Sequence, residues 1–233
     1  MTAAEVIRDL EALGDPDAAA HARRYFKAGP GQYAEGDRFL GIRVPVLRGL
    51  VRRYRELPLP EVERLLRSPV HEARLLALLL LVDRYKRPDP ATREAVAELY
   101  LRNLDRVNHW DLVDSSAPQI LGAYLFEKSE RSLLDRLAAS PSLWERRIAV
   151  MATFYFIRHG EYQPTLRLAR RLLDDPEDLI HKAVGWMLRE VGKRDEETLL
   201  AFLEENAARM PRTMLRYAIE KLDPDSKRRF RQA

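Results

Sequence analysis

The 233-residue sequence contains no cysteine, which excludes a disulfide framework, a cysteine-ligated zinc site and a thiol nucleophile. It also lacks long apolar runs. The longest, Leu75–Val82, is too short to cross a bilayer, and the opening MTAAEVIRDLEALGD carries acidic residues where a secretory leader would be apolar. A soluble, cytoplasmic protein is expected. No glycine-rich phosphate loop lies between a strand and a helix, and neither HExxH nor GxSxG occurs. His21, His71, His109, His159 and His181 show no ligand spacing within one helix. No metal and no nucleotide cofactor are therefore expected.

Lysine is scarce, with seven against 33 arginines. Arginine suits bidentate phosphate contacts, although genomic base composition gives the same bias. The net charge of +4 is uneven, because residues 209–233 hold eight basic residues against three acidic ones.

What is abundant is helical grammar. Asp-Pro recurs at Asp15–Pro16, Asp89–Pro90, Asp175–Pro176 and Asp223–Pro224, with Ser68–Pro69 and Ser140–Pro141 as variants. A capping side chain followed by proline at the first helical position marks a helix start. Between these marks apolar residues recur at three- and four-residue spacings, as in Ile148, Met151, Ala152 and Tyr155. The chain reads as all-α, with roughly a dozen short helices at typical lengths. Such helices pair and stack into an α-solenoid, as in HEAT-like repeats of about 40–47 residues. Trp110, Arg147 and Trp186 stand 37 and 39 residues apart, which in a solenoid places them on neighbouring rungs of one concave surface. A single repeat domain is expected over 1–233, with N-terminal helices at 1–27, a long loop at 28–43 and helical repeats at 44–233. The segment Lys27–Pro45 holds four glycines and two prolines, a composition that serves equally a functional loop or a linker.

Three stretches could carry chemistry. In NHWDLVDSSAP (residues 108–118), Asn108 reads as an N-cap with Asp111 completing a capping arrangement. Trp110 and Asp114 then share a face at i, i+4, near the positive end of the helix dipole. A charged carboxylate beside an aromatic plane can stabilise a cation, or the pair is merely an N-terminal acid and a core tryptophan. In SPSLWERRIAVMATFYFIRHG (140–160), Arg147, Met151, Phe154 and Arg158 form one stripe, either a phosphate grip or a snorkelling face. In DPEDLIHKAVGWMLREVGK (175–193), Lys182, Trp186, Arg189 and Lys193 form a stripe of three cations framing an indole, which suits a polyanion better than a core. Gly185 beside it lets another backbone or a ligand approach closely.

Taken together, ARRYFK (22–27), FLGIRVPVLR (39–48), WDLVDSSAPQILG (110–122), WERRIAV (144–150) and IHKAVGWMLREVGK (180–193) resemble, in the same order, the blocks of the AlkD-type DNA alkylation repair glycosylases. The resemblance covers nearly the whole chain. It implies a HEAT-like solenoid with a concave DNA-binding cleft, acting as a monomer on duplex DNA with alkylated bases, without cofactor or membrane. It implies excision of cationic purines such as 3-methyladenine and 7-methylguanine, with Trp110, Asp114 and Trp186 as the catalytic set. Arg147 corresponds to the family's phosphate-gripping arginine and Tyr25 to an aromatic that approaches the DNA. The cationic stripes add Lys182, Arg189, Lys193 and Arg158 as DNA contacts. The sequence departs from the best-known members of that family at His109, where they carry another tryptophan, and in a longer Ala28–Gly41 loop. A non-catalytic binder of distorted DNA or a protein-interaction solenoid are the competing readings.

Overall fold

A computed structural model of the chain describes residues 1–232. Among them there is no strand, only an isolated bridge between Arg38 and Val70, and the chain is all-α. Among the described residues no helix is long and apolar enough to cross a membrane.

The chain divides into two compact units, Met1–Ser116 and Ala117–Ala233. The first contains α1 (Ala3–Ala12), α2 (Pro16–Tyr25), α3 (Val44–Tyr54), α4 (Leu59–Leu66), α5 (His71–Tyr85), α6 (Pro90–Arg102) and α7 (Trp110–Ser116). The apolar run Leu75–Val82 makes α5 hydrophobic on nearly every side, and such a helix must be enclosed. It is: α3, α4, α6 and α7 all pack against it, and every residue from His71 to Val82 except Leu79 is buried.

The second unit contains α8 (Ala123–Phe126), α9 (Ser132–Ala138), α10 (Leu143–Arg158), α11 (Gln163–Arg171), α12 (Asp178–Gly192), α13 (Glu196–Asn206), α14 (Arg212–Ala218) and α15 (Pro224–Gln232). Here α10 is the enclosed helix, packed by α9, α11 and α12, and α12 packs in turn on α14. In both units a helix meets its neighbour in sequence and the helix two further on, the contact pattern of stacked repeats.

The proline grammar sets three of the helix starts. Asp15 accepts from the amides of Asp17 and Ala18, Asp89 from Thr92, and Asp223 from Asp225 and Ser226. Asp175 differs: it accepts from Glu177 two residues on, and α12 begins only at Asp178. Ser68 and Ser140 likewise bond to the amides of Val70 and Ser142, ahead of their helices.

Candidate active site

Helix α7 carries Trp110 and Asp114, and its start departs from the sequence expectation. The Val113 amide donates to the His109 carbonyl at 3.0 Å, so His109 is the N-cap residue. Asn108 is not the cap, and its side-chain oxygen is buried without a partner. Asp111 does not complete a capping box with it. The Asp111 carboxylate instead accepts from His109 Nδ1 at 2.6 Å, from His71 Nε2 at 2.8 Å and from the Leu112 amide at 2.9 Å. A buried carboxylate takes the strongest donors within reach, and two imidazoles outcompete a local cap.

The chain of contacts continues outward. His71 Nδ1 lies 2.9 Å from Asp37 Oδ2, which also accepts from Arg74 Nη2 at 2.6 Å. At the other end His109 Nε2 lies 3.4 Å from the Phe26 carbonyl oxygen. Burial works against a charge on His71, but its hydrogen bonds to Asp111 and Asp37 outweigh that and hold its pKa up to about 9. Burial also opposes the charge on Asp111, yet the bonds from His109 and His71 keep that carboxyl well below the usual range. Asp37 is lowered against its own burial by His71 and Arg74. The donor atoms of His71, His109 and Asp111 lie within 4.8 Å of one another, close enough to hold a metal ion. Each histidine bonds a different oxygen of Asp111, and the three side chains form a continuous hydrogen-bonded relay.

The relay leaves Trp110 half-buried at the mouth of an aromatic cluster. Tyr25, 61 % exposed at the end of α2, meets the indole edge-on at 6.2 Å between ring centroids and 71°. Phe26 and His109 lie at 5.4 and 5.5 Å. Asp114, one turn further along α7, is half-buried. The Tyr100 phenol is pushed up mainly by burial, and the charge of Asp114 adds to the effect. A groove of about 400 Å³, lined by Tyr25, Phe26, Phe39, Ile42, His71 and Asp111, opens beside the cluster. The structure thus packs Tyr25 against Trp110 and leaves Asp114 one turn further along the same helix.

In the second unit Arg147 is 5 % exposed, and its Nη1 donates to the Leu179 carbonyl at 2.6 Å, tying α10 to the start of α12. Trp186 donates from its indole N–H to Glu190 Oε1 at 3.3 Å and faces Phe154 at 6.4 Å. The cations framing it are paired with acids: Lys182 with Asp178 at 2.7 Å, Lys193 with Glu190 at 2.5 Å, and Arg189 with Glu220. Arg158 stays exposed, with its guanidinium 5.9 Å from the Phe154 ring. Gly185 serves α14 rather than a ligand: a Cβ there would meet the Met214 carbonyl oxygen at 2.4 Å and the Tyr217 Cβ at 2.6 Å.

Residues 6–222 match the model of a family described as DNA alkylation repair enzymes. The chain belongs to the DNA alkylation repair enzyme family. The fold is similar to a solved structure described as a predicted DNA alkylation repair enzyme from Enterococcus faecalis, with a TM-score of 0.70 and 19% sequence identity, covering 91% of this chain and 97% of that one. No curated protein matches the chain.

Sequence reasoning missed two parts of this arrangement. Glu190 anchors Trp186, Lys193 and Arg194 at once, and its i+4 spacing from the tryptophan was a signal available on inspection. Burial opposes its charge, but Lys193 and Arg194 hold its pKa down. The relay through Asp37, His71 and Asp111 joins residues 34 and 40 positions apart, and no local pattern announces it.

Proposed function

We propose that this member of the family is a monofunctional DNA glycosylase that hydrolyses the N-glycosidic bond of cationic N3- or N7-alkylated purines in duplex DNA. The observation that carries the reading is α7, which holds an indole and a carboxylate one turn apart with the exposed Tyr25 packed against the indole.

Alkylation at a ring nitrogen leaves the purine positively charged and a good leaving group, so no general acid is needed. The C1′–N bond breaks, its electron pair passes to the base nitrogen, and the base departs neutral. The positive charge moves to the sugar as an oxocarbenium-like cation, and water adds at C1′ with loss of a proton. Asp114 stabilises that cation and orients the water, and the Trp110 face adds cation–π attraction. The family resemblance adds Trp186 to the proposed catalytic set. Arg147, Arg158, Lys182, Arg189 and Lys193, together with the ring of Tyr25, are proposed to hold the DNA backbone. The family's description and that of the Enterococcus faecalis neighbour support alkylated DNA as the substrate.

The test is to incubate the protein with duplex DNA methylated at guanine N7 and follow free 7-methylguanine chromatographically and abasic sites by alkaline strand cleavage. The proposal expects both to appear together. Binding without release of either the 7-methylguanine or the 3-methyladenine lesion would transfer the protein to the class of non-catalytic binders of distorted DNA.

A further inference from the structure

Asp37, His71, Asp111 and His109 take no part in the chemistry above, yet they form a continuous buried chain across the first unit. Asp37 belongs to the loop between α2 and α3, His71 to the first turn of α5, and His109 and Asp111 to the start of α7. His71 is 2 % exposed, His109 is fully buried and Asp111 is 9 % exposed. Helix-start amides can be satisfied by a single exposed Ser or Asp, as α2 and α6 are, so so much buried charge exceeds what capping requires. What the chain does is fix an angle. Asp111 lies directly after Trp110 and three residues before Asp114. One of its oxygens is held by His109, the residue that caps α7, and the other by His71 of α5, so the bond from His71 fixes the rotation of α7 about its axis against α5.

We infer that Asp37, His71, Asp111 and His109 are positioning residues that lock α7 so that Trp110 and Asp114 face the reacting sugar, and that the lock is tied at its far end to the loop between α2 and α3. The inference rests on the glycosylase reading of Asp114. Its physical basis is the bifunctional imidazole of His71. Charged, it donates to a carboxylate at each nitrogen; neutral, it has one N–H for two acids, and one contact must open. The groups facing it are Asp37 from the loop, Arg74 from its own helix and Asp111 from α7, with His109 beyond Asp111. The neighbouring Glu72 is turned to the loop amides of Leu40, Gly41 and Ile42. A misplacement of about 1 Å at the reacting groups costs on the order of 10²-fold in rate, so a small turn of α7 is enough.

The experiment uses Asp37→Asn, remote from Trp110 and Asp114, with His71→Gln as the central variant. Folding of both is checked by circular dichroism. Single-turnover base release should fall roughly 10- to 100-fold while duplex affinity stays within about twofold, a kcat effect without a binding effect. In Asp37→Asn the alkaline fall in rate should also move to lower pH, because His71 has lost one of the carboxylates that hold its proton. A second arm needs no activity. With Trp144→Phe and Trp186→Phe making Trp110 the sole tryptophan, its indole N–H resonance and acrylamide quenching should change when Asp37→Asn is added. A rate lowered equally at every pH, with the Trp110 signals unmoved, overturns the inference. If the unaltered protein releases no base, the glycosylase reading fails alone, and the Trp110 signals still decide whether Asp37 acts on α7.

Discussion

Raising the pH should weaken the first unit through one identifiable group. His71 has a pKa held up to about 9 against 6.5 for an ordinary histidine. A group raised on folding stabilises most below its unfolded pKa, and its contribution disappears as pH climbs through the folded value. With these two values the protonated imidazole contributes about 3 kcal/mol below pH 6.5, still about 2–3 kcal/mol at pH 7, and close to nothing at about pH 10. Because His71 is 2 % exposed, solvent screening takes little from that figure. The assay is urea unfolding from about pH 6 to about pH 10, comparing the protein with His71→Gln. Lysine and tyrosine titrations are common to both proteins, so the difference between the two stability curves isolates His71. That difference should shrink by about 2–3 kcal/mol across the window. Parallel curves would show that His71 is neutral in the folded state and would refute the relay's charge assignment.

Three further outcomes follow from particular contacts. Gly185→Ala should destabilise the second unit by about 1–3 kcal/mol in urea unfolding, since the added Cβ meets the α14 backbone at 2.4 Å and the gain in helix propensity offsets only part of that clash. Glu72→Gln should cost about 2–3 kcal/mol and raise amide hydrogen exchange at Leu40, Gly41 and Ile42, because an amide nitrogen would replace one of the carboxylate oxygens that accept from them. Lys182→Ala should weaken duplex binding across all sequences and reduce the salt slope by about 1; an unchanged slope would mean that Lys182 serves only its ion pair with Asp178.

The helices were readable because their signals are local. Asp15, Asp89 and Asp223 cap through amides two or three residues away, and the all-round apolar run of α5 demands enclosure wherever it lies. The shared face of Trp110 and Asp114 follows in the same way from i, i+4 spacing. Misreadings arose where a distant partner outbid a near one. Asn108 and Asp111 have the spacing of a capping box, but Asp111 is bonded to a histidine 40 residues earlier, and sequence distance hides the competition. Around Trp186 the cations and two of their acids, Asp178 and Glu190, stand within one turn of the same helix, whereas Glu220 comes from 31 residues away. Gly185 announced a close approach, but only the packing of α12 on α14 identifies the Met214 backbone as what approaches.

The central claim is that a carboxylate on α7 stabilises the charge left on the sugar, and Asp114→Asn tests it most directly. Single-turnover release of 7-methylguanine from a duplex is measured for both proteins, with duplex affinity measured alongside. The account predicts a loss of roughly 10²–10³-fold in release, with affinity retained. Release by the variant at the unaltered rate would contradict the account and remove Asp114 from the chemistry.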